Sequence, residues 1–313
     1  MDIRPLSNNG AHCVVEVVGL DPDMLKDAEI RQRLYDLWVW NGVVVFRGLS
    51  GADVQLEISR ICGDLQQHPV RESWVDGHPD LINLRYTPED GSVYEVDGKL
   101  VGAYLPWHSD LVYVDKINHG GVLRPVEPAR EGGATGFIDQ IASYDRLPAR
   151  LRERIESLDV IYKMNFFSEQ ARFGPRPTRR VRAGNSILRP MQRQHEYPRV
   201  LHPMVYTQTE TGRKVLNVSP WFAVGIQGME NADGDALLEE VIGYCTDESY
   251  AYFHQWKADD MVLWDNWRVL HCATGVDPDS RRWMQRTTIL GDYALGRVEG
   301  ASAKMDESLA ISI

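Results

Sequence analysis

From about residue 80 onward this chain consists of short β-prone runs cut by Gly, Pro and Asp, at 81–86, 100–105, 110–114, 134–138, 158–163, 200–207, 214–218, 260–264, 268–274 and 284–292. No such run buries a face on its own, and many short strands at turn-punctuated spacing pack as a barrel or a double-sheet jelly roll. Two helical stretches interrupt the pattern, at 140–157 and at 233–247, the second with Leu237, Leu238, Val241, Ile242 and Tyr244 on one side. Before residue 80 the period changes. A strand is expected at 12–18, then a helix opened by Asp21-Pro22-Asp23 and ending near Asn41, with Leu25, Ile30, Leu34, Leu37 and Trp38 at helical spacing. A buried strand at 43–47 and an amphipathic helix at 52–65 follow, and the early helices are expected to cover one outer face of a mainly β fold. At 313 residues the chain exceeds the usual domain size, but β folds of this kind reach that length as one unit. It is read as one domain over 1–313, with its core at about 40–292.

Charge and thiols narrow the function classes. A formal net charge of −11 argues against a nucleic-acid surface. The longest apolar run near the start, Val43-Val44-Val45-Phe46, is far short of the ~20 residues that span a bilayer, so no membrane partner is expected. No basic stretch followed by an apolar one opens the chain, so no secretory leader is expected. The four cysteines (Cys13, Cys62, Cys245 and Cys272) form no C-x-x-C pair, which excludes a zinc ribbon and fits reduced thiols in a cytoplasm. Residues 172–199 hold eight arginines, no lysine and a single acid, Glu196. Such a segment is either an anion-attracting lid, since long loops are often functional, or a solvated insertion or subunit contact whose arginines pair with acids elsewhere.

Two H-x-D tripeptides compete as half of a metal site. Side chains two apart on a strand share a face, so His108-Ser109-Asp110, leading into Leu111-Val112-Tyr113-Val114, is expected to present an imidazole and a carboxylate together. His78-Pro79-Asp80 lies among turn formers, and Pro79 marks it as a loop. The first copy is therefore preferred. A second imidazole would complete a two-histidine, one-carboxylate site that leaves the opposite positions open for oxygen chemistry. His271 offers it, on the second of two apolar strands joined at the turn-prone Asp265-Asn266. A lone buried histidine is ordinarily a satisfied core residue, and Cys272 beside it is expected to face the other way. Arg282 and Arg286 change the weighting for His271. On a strand they alternate with Met284 on one face, and two inward guanidiniums are too costly to bury unless anions meet them, a bidentate carboxylate being the natural partner.

With those residues in view, the chain resembles the taurine dioxygenase/2,4-dichlorophenoxyacetate dioxygenase family of Fe(II)- and 2-oxoglutarate-dependent oxygenases. The matching blocks, in family order, are Gly42-Val-Val-Val-Phe-Arg-Gly48, Trp107-His-Ser-Asp110, Gly132-Gly-Ala-Thr135, His202-Pro203 with Thr211-Gly-Arg-Lys214, and Trp264-Asp-Asn through Asp292. The resemblance implies a double-stranded β-helix (jelly roll). It implies Fe(II) held by His108, Asp110 and His271, the far carboxylate of 2-oxoglutarate held by Thr135 and Arg282, and O2 as the other co-substrate. It puts Arg286 where several members grip an anionic substrate group, and His68 on the substrate side. Arg71 stands where the taurine enzyme has a tyrosine, and Tyr104 about where it has a polar amide. Those departures speak against taurine and suit a larger or aromatic carboxylate, with Trp221, Phe222 and Tyr104 as walls. Relatives that halogenate carry a small residue in place of the carboxylate, so Asp110 argues for hydroxylation. The implied activity is hydroxylation of a small anionic organic molecule, possible examples including an aryloxyalkanoate, coupled to decarboxylation of 2-oxoglutarate to succinate and CO2. The resemblance also implies a homodimer or homotetramer. Alternatives from the same residues are desaturation or cyclisation in a biosynthetic pathway, a zinc hydrolase, or a non-catalytic jelly-roll binding protein.

Overall fold

The computed structural model describes residues 1–6, 12–67, 74–185 and 194–300. Eight strands carry the architecture: β1 (Val43–Arg47), β2 (His78–Tyr86), β3 (Lys99–His108), β4 (Gly120–Glu127), β5 (Thr135–Asp139), β6 (Asp260–Asp265), β7 (Val269–Val276) and β8 (Arg282–Thr287). One sheet runs β1-β6-β4-β8-β2, extended by Asp2–Pro5 and Val14–Val18 beyond β1 and by Trp74–Val75 beyond β2. The other runs β3-β7-β5, with Val93–Val96 and Arg179–Arg182 outside β3 and Tyr252–His254 outside β5. Pairing among these strands is antiparallel except where Val14–Val18 lies parallel to β1. The two sheets face one another without closing, the expected double-sheet jelly roll.

Alternation along the strands builds the layers. Val43, Val45, Val262, Trp264, Leu123 and Met284 turn inward and meet Phe137 and Val269 of the opposite sheet. The residues between them, Val44, Phe46, Met261, Leu263 and Val122, turn outward and are covered by helices α1 (Ala28–Asn41) and α2 (Ala52–Cys62) through Leu34, Trp38 and Ile58. The sheet is thus buried on both faces, which is why its strands read as nearly continuous apolar runs rather than alternating ones. Asp27 caps α1 by accepting from the Glu29 and Ile30 amides at 2.8 and 3.4 Å, so the helix begins there. The residues from Pro22 to Lys26 form a separate 3₁₀ turn. The stretch expected as one helix at 140–157 is two, α3 (Gln140–Arg146) and α4 (Ala149–Ile155), broken at Pro148. Asn231 caps α5 (Ala232–Cys245), which packs with Ile138 and Leu270 behind the second sheet. No helix among the described residues is long and apolar enough to cross a membrane.

Two expectations fail here. The run 110–114 is a turn, because β3 ends at His108 and Leu111 sits at φ 56°. His78-Pro79-Asp80 opens β2 rather than forming a loop, Pro79 being tolerated at a strand beginning. The central strand β4 was not anticipated at all, since its Gly120-Gly121 and Pro125 read as turn signals. The glycines are there because the neighbours come close. A Cβ on Gly120 would lie 2.5 Å from the Trp264 carbonyl oxygen, and one on Gly121 2.8 Å from that of Thr287. Pro125 sits beside the register shift against β8.

Replacing Gly120 by Ala should therefore lower stability by about 1–3 kcal/mol through overpacking. Gly243→Ala, in exposed helix with nothing within 4 Å of the added methyl, should raise it by about 0.5–1 kcal/mol. Urea midpoints of the two variants check this, and equal effects would contradict the close approach at Gly120.

Candidate active site

The ladder between β3 and β7 pairs His108 directly with His271. This register puts the two imidazoles side by side at the sheet's inner end, their ring centroids 4.3 Å apart. The chain then leaves β3 in a turn that swings Asp110 back across them. His108 Nε2 lies 3.7 Å from Asp110 Oδ1, and His271 Nε2 lies 3.7 Å from Oδ2. One donor atom from each of the three residues falls within 4.8 Å of the others, and this is the only such group of His, Cys, Asp or Glu among the described residues. His78 and Asp80 take no part in it.

The donor set fits a divalent metal ion. Distances of 3.7 Å are too long for hydrogen bonds but suit ligands that each stand about 2 Å from a shared ion. His108 Nδ1 lies 2.7 Å from the Pro106 carbonyl, which can only accept. The proton is therefore on Nδ1, and the Nε2 lone pair points at the common centre. Burial, reinforced by His108, pushes His271 down to about 4, so it is neutral at pH 7 with a lone pair free, and its buried Nδ1 has no partner among the described residues. Burial alone would raise the Asp110 carboxyl. The Arg286 guanidinium, which donates from Nη1 to Oδ2, outweighs it together with His271 and holds the carboxyl well below the usual range. Two imidazole nitrogens and one carboxylate converge, as a facial triad requires.

Arg282 and Arg286 lie on β8 as expected, both buried, but they meet different neighbours. Arg286 is on Asp110, and its Nε is buried without a partner among the described residues. The Arg282 guanidinium has no hydrogen bond or ion pair among the described residues, and burial lowers it to about 10. With Glu131, Gly132, Gly133, Trp256 and Met284 it lines a cavity of about 300 Å³ that His108, Asp110 and His271 do not line. Gly132 and Gly133 both have positive φ, 72° and 69°, and a Cβ on Gly133 would stand 3.4 Å from the Arg282 Nε. The glycine pair lets the chain fold against the guanidinium and enter β5 at Thr135. The Thr135 hydroxyl accepts a 3.0 Å hydrogen bond from Trp256 Nε1.

Aromatic rings close another side. Trp221 stands edge-on to His108 at 5.2 Å and stacks on Phe222 at 4.5 Å, and Phe222 meets Tyr113 at 5.0 Å. Tyr104 instead leans toward Tyr94, at 6.3 Å, with no ring contact or hydrogen bond to the three clustered residues. His68 and Arg71 lie outside the described residues. In the segment 172–199, Arg172, Arg179, Arg180 and Arg199 pair with Asp235, Glu95, Glu169 and Glu230 respectively. Arg176 and Arg182 donate to backbone carbonyls, while Arg189 and Arg193 fall outside the described residues. These pairings match the insertion reading of that segment better than the lid. Cys272 packs with Trp107 behind the sheet, away from His271, and all four cysteines are buried and free.

Sequence reasoning passed over Trp256, and it read the turn at Asp265-Asn266 only as the join between two strands. Nothing in the tryptophan's local context marks it, because its contact with Thr135 spans 121 residues. In the turn, Asp265 is fully buried and raised to about 7 by burial, which outweighs the attraction of Arg268. His119, 3.8 Å away, is itself pushed down to about 3 by burial and stacks on Trp267, so it supplies no cation. Asp265 is thus protonated in the folded chain up to about pH 7, but only to about pH 4 when unfolded. Its contribution to stability falls as pH rises through that window. An Asp265→Asn variant should therefore gain on the parent between pH 5 and pH 8, by a few degrees in thermal midpoint. A difference independent of pH would show that Asp265 is ionised throughout.

The model of the Taurine catabolism dioxygenase TauD, TfdA family matches residues 2–288. Among curated proteins, the chain is 30% identical over 283 residues to the alpha-ketoglutarate-dependent 2,4-dichlorophenoxyacetate dioxygenase of Cupriavidus pinatubonensis, covering 86% of this chain and 91% of that one. It is 31% identical to the (S)-phenoxypropionate/alpha-ketoglutarate-dioxygenase of Sphingobium herbicidovorans over 63% of this chain and 66% of that one. In fold it is similar to the crystal structure of a taurine dioxygenase from Burkholderia xenovorans, with TM-score 0.72 and 24% identity, covering 96% of this chain and 95% of that one.

Proposed function

The chain belongs to the TauD, TfdA family of dioxygenases, and from that premise we propose that it is a 2-oxoglutarate-dependent, non-haem iron dioxygenase that hydroxylates a small anionic organic substrate. The observation that carries the proposal is the convergence of His108, Asp110 and His271, together with a buried arginine, Arg282, that stands four residues before Arg286 on the same strand and whose guanidinium has no hydrogen bond or ion pair among the described residues. The family match over residues 2–288 also supports reading the chain as one dioxygenase domain. The four free, buried thiols support a reducing, cytoplasmic setting.

His108, Asp110 and His271 would hold the iron. When bound, Fe(II) supplies the activation of O2 that couples decarboxylation of 2-oxoglutarate to succinate and CO2 with insertion of oxygen into a substrate C–H bond. The protein's part is orientation and electrostatics. The Pro106 carbonyl fixes the His108 tautomer, and burial keeps His271 neutral. Arg282 has the charge and the cavity to receive the far carboxylate of 2-oxoglutarate, and Thr135 offers a hydroxyl nearby, its oxygen already oriented by Trp256. The retained carboxylate at Asp110 supports hydroxylation over halogenation. For the substrate, the Trp221-Phe222 stack against His108 favours an aromatic body, and the curated relatives named for phenoxy acids point the same way. An aryloxyalkanoate is accordingly the first class to test. Arg286 is the cation available to its carboxylate, sharing its guanidinium with Asp110.

Under anaerobic conditions the protein with Fe(II) and 2-oxoglutarate should show a weak metal-to-ligand absorption band that His108→Ala lacks. If wild type and variant are equally featureless, the iron reading is wrong. Arg282→Ala should raise the KM for 2-oxoglutarate by roughly 10–100-fold, as loss of a charged hydrogen bond implies, with the substrate KM nearly unchanged. Arg286→Ala should chiefly weaken substrate, and the reverse pattern would exchange the two roles. Succinate release across aryloxyalkanoates, sulfonates, sulfate esters and amino acids then identifies the substrate class.

A further inference from the structure

We propose that Asn266 is the positioning residue for the carboxylate ligand, clamping the backbone of Asp110 so that its side chain is aimed before any metal arrives. The inference rests on reading His108, Asp110 and His271 as the metal ligands. Two of those ligands, His108 and His271, are fixed by the β3-β7 ladder. Asp110 is not, because β3 ends two residues earlier and the chain turns through Leu111 at φ 56°. A ligand on a free turn must be ordered when the metal binds, at a cost in conformational entropy.

Asn266 supplies the neighbour that the strand no longer provides. Its Oδ1 accepts from the Asp110 amide at 2.8 Å, and its Nδ2 donates to the Asp110 carbonyl at 3.0 Å. One side chain thus reproduces both hydrogen bonds that a paired strand residue would make. The same Nδ2 reaches the Asn118 carbonyl and Oδ1, each at 3.1 Å, and the Asn266 amide donates to the His119 carbonyl at 2.8 Å. The side chain is 1% exposed, so water offers no substitute for these partners. The side-chain amide carries its acceptor and its donors on separate atoms and so can hold both groups of Asp110 at once, whereas a carboxylate of the same size lacks the donor and an aliphatic chain lacks both. Ser219 adds a second hold one residue earlier, its Oγ accepting from the Ser109 amide at 3.0 Å. Asn266 also lies in the turn that leads into β7, five residues before His271, so the clamp ties the carboxylate ligand to the segment that carries the second imidazole.

The test is metal binding by the full chain, read by calorimetric titration with Co(II) and by the Co(II) visible spectrum, without co-substrate or turnover. Asn266→Ala and Asn266→Asp should weaken Co(II) binding tenfold or more, the usual effect of removing a residue that orients a ligand, and should alter the spectrum. Asn217→Ala removes another amide that bonds backbone, to the Pro203 carbonyl at 2.9 Å. It should lower the thermal midpoint while leaving Co(II) affinity within twofold. Folded Asn266 variants that bind Co(II) as tightly as wild type overturn the clamp. Wild type and Asp110→Ala binding Co(II) equally weakly would instead overturn the metal reading beneath it. Should the Asn266 variants fail to fold, hydrogen exchange on metal-free wild type decides: a clamped Asp110 amide is protected tenfold or more over the exposed turn amides, and unprotected exchange overturns the proposal.

Discussion

The turn at 265–268, where the chain passes from one sheet to the other, is the constraint on which the rest of the structure depends. β6 lies in the larger sheet and β7 in the smaller one, so these four residues set the relation between the layers. Arg268 anchors the turn. It is 2% exposed, and its Nε and Nη2 grip both oxygens of Asp139 at 2.9 Å, while Nη1 reaches the Val39 and Trp40 carbonyls at the end of α1. A bidentate pair supplemented by orphan helix-terminal carbonyls satisfies a buried guanidinium that would otherwise be costly to bury. Through it, helix α1, strand β5 and the turn leading to His271 hold one another in place.

The charges near the site are treated unequally, and that inequality is what makes the site legible. Arg268 is saturated by fixed partners, and Arg124 is held by Gln55 and Gln285. Arg286 is half engaged, through Asp110. Arg282 faces a cavity with nothing in reach among the described residues. A protein that gives Arg268, Arg124 and Arg286 each a side-chain partner has reason to leave the Arg282 guanidinium open where an anion arrives from outside. The same logic separates Asp110, held low by the Arg286 guanidinium against its burial, from Asp265, which burial raises to about 7 against the attraction of Arg268.

The H-x-D tripeptide preferred from the sequence is the one that clusters with His271, although the local reason for choosing it does not survive in the structure. Strand context favours His108-Ser-Asp110 over His78-Pro-Asp80, yet it is the second that lies in a strand and the first that leaves one. What selects the first is the cross-strand register of His108 with His271, a long-range pairing that no local pattern encodes. Strand β4 stayed hidden for a related reason. Its glycines are demanded by the backbone of β6 and β8 pressing from both sides, and in isolation a glycine pair signals only a turn. Trp256 and Asn266 were unreadable as site residues because each acts on a partner more than a hundred positions away.

By itself the sequence determined the mainly β architecture, the identity of the three clustered donors and the alternation of Arg282, Met284 and Arg286. All of these follow from residue type and from periods of two or 3.6, which are local properties of the chain. Tertiary structure alone decided how Asp110 reaches the imidazoles from a turn, which arginine is left open, and whether the arginines of 172–199 are spent on acids elsewhere. Those outcomes depend on who pairs with whom across distant strands. Hydrogen bonds and desolvation are settled between partners that only the folded chain brings together.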